Sequence, residues 1–456
     1  MVKFKTINPA TGEVLKEYSV MSKEEVMTIV HHSNEAYKSW KELPLPKRAE
    51  FMVKVATVLK KNKEHYASII TAEMGKPTKD AIAEIEKCAW MAEVYAQNAE
   101  AWLNEEVVEA DGLKHRVIFQ PLGIILAVMP WNFPFWQALR FGVPALLTGN
   151  TAILKHASAT TGAALAVETV FKEAGFPANV FRTIIADHET VAALLAHQFI
   201  KGVSLTGSTP AGKNIAAVAG QHLKKVVLEL GGSDPFIVLD DADIEVAAQN
   251  AVKGRFQNCG QSCIAAKRII VHEKVADKFS KKFAELAEKL VVGNPSDKNT
   301  TTGPLVNEKA AKDIEMHVKD AVQKGAKVLT GGKRLNGAFY APTVLTNVTD
   351  NMDVVKEEMF GPVAPIIVVK SDEEALTIAN KTNFGLGGSV WTKDLKRGEA
   401  IARRLEAGSV FVNSIVKSDP RMPFGGIKES GLGRELSHWA LREFANIKGL
   451  SVYEHK

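Results

Sequence analysis

Apolar residues recur at intervals of three and four from Val26 through Ile29, Val30 and Ala36 to Trp40, directly after the stretch Ser22-Lys-Glu-Glu25. That spacing predicts an amphipathic helix opened by a capping box, in which the Ser22 and Glu25 side chains each satisfy the other's backbone N–H. Two more helical stretches are predicted near residues 46–73 and 78–103. Between about His115 and Glu229 the period changes. Short β-rich runs (HRVIFQ, GIILAVM, TAILK, FRTIIA, VVLEL) now alternate with helical segments such as residues 159–174 and 210–219. A second alternating series runs from Pro235 to about Ser414, with FIVLD, RIIVH, AKVLT, APIIVV and SVFVN separated by helices such as 275–290 and 307–325. Strands alternating with helices of this length build βαβ units and parallel sheets. The predicted fold class is therefore α/β, with two sheets and two cores. Glycine-rich PFGGIKESGLGRE (423–435) closes the second block, and a last helix and strand follow. The stretch VGNPSDKNTTTGPLVN (292–307) reads as a loop inside that block.

A chain of 456 residues predicts two to three domains, because single cores rarely grow past about 250 to 300 residues. With 46% hydrophobic and 24% charged residues, the chain has the makings of a large folded core rather than of a disordered one. Lysine and arginine number 57 against 52 aspartates and glutamates, and no basic block exceeds the KKNK at 60–63. Nucleic acids and membrane surfaces need a concentrated basic stripe, so neither is an expected partner. The start MVKFKTINPATGEV has no apolar run of signal-peptide length, and nowhere do about 18 apolar residues run uninterrupted. Three cysteines do not make a disulfide framework, which points to a reducing compartment and a cytoplasmic protein.

Two of those cysteines lie four apart in FQNCGQSCIAAKR (256–268). Thiolate zinc sites need four ligands, commonly from two short-spaced pairs, and the next histidine is His272, so no metal site is expected. A disulfide four residues long would rarely stay closed in a reducing compartment. Cys88, within EIEKCAW, has the surroundings of a small buried hydrophobe. Cys259 and Cys263 instead have Asn258, Gly260, Gln261 and Ser262 as neighbours, which predicts an exposed, reactive turn at the end of a helix.

FQNCGQSC resembles the nucleophile signature of the aldehyde dehydrogenase superfamily. So do, in that superfamily's order, PWNFP (130–134), LTGSTPAG (205–212), LELGGSDP (228–235), EEMFGPV (357–363) and PFGGIKESGLGRE. Within it, KHAS, GRFQN, FVNSIVKSDPRMPFGGIK and GRELSHWALREF look most like NAD(P)-dependent succinate-semialdehyde dehydrogenases. The resemblance covers nearly the whole chain. It implies Cys263 as the nucleophile, Cys259 as a bystander, Glu229 as the general base and Asn132 as an oxyanion donor beside the Cys263 N–H. Read alone, Glu229 in VVLELGG could equally be a strand end paired with Lys224 or Lys225. A reversible Cys259–Cys263 disulfide is left open.

No GxGxxG follows the early strands. The resemblance instead implies that Gly207, Ser208 and Gly212 take the cofactor pyrophosphate at a helix N-terminus, with Trp131 lining the same channel, Glu358 holding the nicotinamide ribose hydroxyls and Phe360 beside the nicotinamide. Ser158 stands where NAD-preferring relatives carry a glutamate, so Lys155 and Ser158 favour NADP, with NAD accepted. His156 departs from the proline common at its position. For a substrate carboxylate, Arg140 is the implied partner, Gln257 occupies the place of a second arginine, and Arg421 or Lys417 could compensate. The implied fold has a Rossmann-variant cofactor domain (1–103 and 122–231), a catalytic domain (232–428) and a small β region (104–121 and 436–456) that pairs across subunits of a homodimer or homotetramer. The implied reaction is oxidation of an aldehyde, succinate semialdehyde foremost, to its acid. Another short aldehyde, acyl transfer to coenzyme A and a non-enzymatic binding role are the competing expectations.

Overall fold

A computed structural model describes residues 2–455. The predicted capping box is formed: the Ser22 hydroxyl accepts from the Glu25 N–H, the Glu25 carboxylate accepts from Ser22, and the helix runs Lys23–Trp40. The single stretch predicted over 46–73 is two helices, Leu45–Lys61 and Lys63–Met74, which meet at Asn62. These helices and Thr78–Leu103 pack on one face of a six-stranded sheet, sharing one core with the helix Pro134–Thr148.

That sheet runs in the order Gly431–Leu432, Lys225–Glu229, Ile200–Thr206, Ile124–Met129, Thr151–His156, Phe181–Ile184. All neighbours are parallel except the first pair. Its first strand in chain order, Ile124–Met129, lies between Thr151–His156 and Ile200–Thr206, so the order reverses there. Such a switch point opens a crevice at the carboxyl ends of the strands, where α/β sheets bind ligands. The turn 130–133, the turn 207–208 and Glu229 all sit at that edge.

The chain leaves Glu229 and within five residues begins Asp234–Val238 of a second sheet. Its seven strands run in the order Lys327–Thr330, Thr343–Thr346, Val363–Val369, Ala266–His272, Asp234–Val238, Gly387–Trp391, Ser409–Val412, antiparallel only at the first pair. Cys263 and Glu358 lie shortly before the adjacent strands Ala266–His272 and Val363–Val369. The second sheet therefore presents the amino ends of its strands to the carboxyl edge of the first.

A third sheet joins Glu106–Val108, Lys114–Pro121 and Ala445–Val452, all antiparallel. The helix Ser437–Glu443, predicted to belong with that region, packs into the first core through Ala440 and Leu441, and Gly431–Leu432 extends the first sheet. No helix among the described residues is long and apolar enough to cross a membrane.

Candidate active site

The helix Ile244–Phe256 is followed by three residues of left-handed backbone, Asn258 (φ 53°), Cys259 (φ 56°) and Gly260 (φ 72°). Left-handed backbone at two non-glycine residues costs conformational energy and persists only where surrounding contacts over-determine it. Those contacts are present. Asn258 Nδ2 donates to Asn132 O at 3.0 Å and to Gln261 O at 3.1 Å, and Gln261 Oε1 accepts from the Val306 N–H at 2.8 Å. Gly260 packs so closely on the Gly361 carbonyl that a Cβ there would collide with it. The buried Arg255 guanidinium ties the turn to the next motif, donating to the carbonyls of Val363, Met359 and Gly361.

This turn separates the two cysteines. Cys259, expected in an exposed reactive turn, is 1% exposed and packs with Leu305, Ile314 and Met359. Burial pushes its thiol up to about 12. Cys263 is only half-buried, and both thiols are free. It lies on the wall shared by two cavities of about 270 and 280 Å³. Lys267, four residues on, donates to Ser262 O at 2.8 Å and Cys263 O at 2.7 Å and pairs with Glu358 at 3.1 Å. The enclosure, with Glu229 nearby, pushes the Cys263 thiol up to about 12. Its thiolate therefore needs a base.

Glu229 is 1% exposed, and neither carboxylate oxygen has a hydrogen-bond partner among the described residues. The alternative pairing with a neighbouring lysine is not formed: Lys224 Nζ donates to His197 O and Lys225 Nζ to Ala445 O. Arg140 lies 3.9 Å away but is engaged mainly by Glu435. Burial outweighs the arginine and raises Glu229 to about 8. A carboxyl poised there can hold a proton or take one near neutral pH. Asn132 is also buried; Nδ2 gives one of its two hydrogens to Gln261 O at 3.1 Å, and Oδ1 accepts from Gln137 at 3.0 Å.

The cavity of about 280 Å³ brings together five of the residues implied for the cofactor: Trp131, Gly207, Ser208, Glu358 and Phe360. The Trp131 and Phe360 rings meet edge to face at 5.8 Å. Ser208 caps the thirteen-residue helix Thr209–Gln221, whose remaining free N–H groups suit an anion. Gly212 is one turn further on and does not line the cavity; a Cβ there would meet Leu230 at 2.5 Å, so its role is close packing of helix on sheet. Lys155, at the end of its strand, is buried without a hydrogen bond or ion pair among the described residues, and Ser158 beside it is exposed. His156 fixes the loop between them: Nε2 donates to Pro134 O at 3.1 Å and Nδ1 accepts from Thr160 at 2.8 Å. Burial holds this imidazole down at about 4, so it is neutral.

The other cavity contains Arg140 and Gln257. Arg421 does not reach it. That guanidinium is exposed and held by Asp419 at 2.7 and 2.9 Å. Lys417, the alternative to Arg421, does line this cavity; missed from the sequence are Lys87 and Lys253, which line it too, and Lys267, Arg255 and Glu435, which hold its surroundings in place. Lys267 carried a signal, a charge inside the apolar run AAKRIIVH; Lys87, on a helix, carried none.

The aldehyde dehydrogenase family model matches residues 2–450. A succinate-semialdehyde dehydrogenase specific by name for NADP+, from Mycobacterium tuberculosis H37Rv, is 44% identical over 97% of this chain and 98% of its own. The succinate semialdehyde dehydrogenase Sad of Escherichia coli K12, named for NAD(P)+, is 43% identical over 97% of this chain and 96% of its own. The crystal structure of succinic semialdehyde dehydrogenase from Streptococcus pyogenes, in complex with NADP+, superposes with a TM-score of 0.97, at 36% identity, covering 99% of this chain and 100% of that one.

Proposed function

The chain belongs to the aldehyde dehydrogenase family, and from that premise we propose that it oxidises succinate semialdehyde to succinate with NADP+. The observation that carries the reading is the position of Cys263 between two cavities. One is lined for a dinucleotide. The other is lined by four cations (Lys87, Arg140, Lys253 and Lys417) against two acids, Asp80 and Glu84, a balance that favours an anionic aldehyde.

The dinucleotide, when bound, supplies the hydride acceptor. Glu229 as carboxylate draws the proton from Cys263, and the sulfur adds to the aldehyde carbon. The second Asn132 amide hydrogen and the Cys263 N–H receive the new oxyanion. Loss of hydride leaves a thioester on Cys263. Once the proton taken from Cys263 has passed to solvent, Glu229, again a carboxylate, takes a proton from the attacking water, and the sulfur departs as the acid forms. Lys155 and Ser158 hold the adenosine ribose side, with Ser158 rather than a glutamate at the position that would oppose a 2′-phosphate; this supports NADP over NAD. The relatives' names support the same substrate and cofactor. Three free thiols support a cytoplasmic setting, and the open edges of the three-stranded sheet support a homo-oligomer.

Initial rates with succinate semialdehyde and with pentanal, each with NADP+ and NAD+, test the reading. The expected result is the highest kcat/KM for succinate semialdehyde with NADP+, free succinate as product even with coenzyme A present, and no turnover by Cys263→Ser. Equal rates for both aldehydes, or an acyl-coenzyme A product, would overturn it.

A further inference from the structure

Beside Cys263, the substrate-side cavity holds a cation that no acid among the described residues pairs with. Lys87, on the helix Thr78–Leu103, is half-buried there; its Nζ donates to Ser418 Oγ at 2.6 Å and stands 4.2 Å from the Trp136 ring centroid. Neighbouring buried cations are matched: Lys76 by Glu84, Lys267 by Glu358, Arg140 by Glu435. Among the described residues Lys87 has no carboxylate within ion-pair distance. The acids closest to it are already committed. Glu84 accepts from Lys76 and from the N–H groups of Phe135 and Trp136, and Asp419 is held by Arg421. An ammonium has three hydrogens to give, and only one is placed. A charge enclosed without a counter-ion is costly, and a ligand anion relieves that cost.

We propose that Lys87, with Ser418, receives the carboxylate at the far end of the substrate and sets the preference for an anionic aldehyde. Arg140 lines the same cavity, but its Nη2 is already engaged by Glu435 and Thr206 and faces Glu229. The inference rests on the aldehyde oxidation proposed above and adds the residue that selects the substrate.

The test is Lys87→Met, which keeps an unbranched stem over Trp136. The ratio of kcat/KM for succinate semialdehyde to that for pentanal should fall about 10- to 100-fold, the range for losing a charge-assisted hydrogen bond. Succinate, used as an inhibitor of pentanal oxidation, should lose affinity to a similar degree. A wild-type enzyme that does not discriminate the two aldehydes overturns the functional reading and this inference with it. A discriminating wild type whose preference survives in Lys87→Met overturns the role of Lys87 alone. The unmodified enzyme gives a second readout, independent of folding. Burial lowers Lys87 to about 8, with Arg140 lowering it further and Cys88, Glu84 and Asp419 opposing. Above about pH 8 the same kcat/KM ratio should therefore decline as the ammonium is lost; a ratio independent of pH up to 10 would count against the proposal.

Discussion

A carboxyl group buried as deeply as that of Glu229 is a cost to folding, and its sign can be checked by pH. Its folded value is about 8 against an ordinary 4.5, raised by burial, with Arg140 opposing and Glu435 adding to the rise. Between those values the folded chain keeps a proton that the unfolded chain has lost, so stability falls as pH rises through that window, by at most about 1.4 kcal/mol per unit. Above about 8 the loss levels off. Glu229→Gln removes this ionisation. Its thermal midpoint should exceed that of the parent by a margin that grows from pH 5 to pH 8 and then stays constant, while turnover drops by about 10²- to 10⁴-fold. A margin independent of pH would show that Glu229 is ionised in the folded state. In the sequence, Glu229 was visible as a charge inside an apolar run. Lys87 was not, since a lysine in a helix is ordinary surface material and only the meeting of helix, Trp136 and the 415–418 loop encloses it. Cys259 was misread for a similar reason: its polar neighbours suggested exposure, but three left-handed residues turn its side chain inward.

At the level of elements, the helix Pro134–Thr148 carries Gln137 and Arg140 into the site, and its own first turn has no side-chain cap. The cap comes from another helix. Glu84 accepts the Phe135 and Trp136 N–H groups, each at 3.0 Å, and its other oxygen pairs with the fully buried Lys76. Removing one member of a buried ion pair strands the other charge and costs about 3–5 kcal/mol. Glu84→Gln should therefore lower the thermal midpoint sharply. Glu84→Gln with Lys76→Met should recover most of it, and a double variant no better than the single one would exclude the stranded-charge account. Such trans caps leave no sequence signature, whereas the Ser22–Glu25 box, three residues apart, was legible. The strands Thr151–His156 and Ala266–His272 were legible too, because strands buried on both faces are unbroken apolar runs. Gly387–Trp391 was not, since its two glycines mask the run, and the amino-terminal hairpin of Lys3–Ile7 and Val14–Ser19 was missed because it is largely exposed and has no apolar alternation.

On the scale of the whole molecule, the three-stranded sheet leaves apolar surface uncovered. Its outer strands expose Val107 (69%) and Ile447 (57%), with Val108, Leu450 and Val452 beside them. Ala445–Val452 pairs with Lys114–Pro121 along one edge only, and nothing among the described residues pairs with the other. An open apolar edge of this length invites a second copy of the same chain, because each added strand satisfies a row of N–H and carbonyl groups while burying the side chains between them. Strand Ala445–Val452 follows directly on the helix Ser437–Glu443, and Ser437 O accepts from Tyr95 on the helix that carries Lys87. In the proposed homo-oligomer, loss of the partner should thus reach the substrate cavity as well as the surface. Ile447→Lys with Leu450→Lys places two like charges on the exposed strand without touching the core. Light scattering during size exclusion should show the mass falling toward that of one 49.6 kDa chain, with KM for the aldehyde rising in the dissociated fraction. A variant that keeps the parent's mass would mean that the contact between copies lies elsewhere on the molecule.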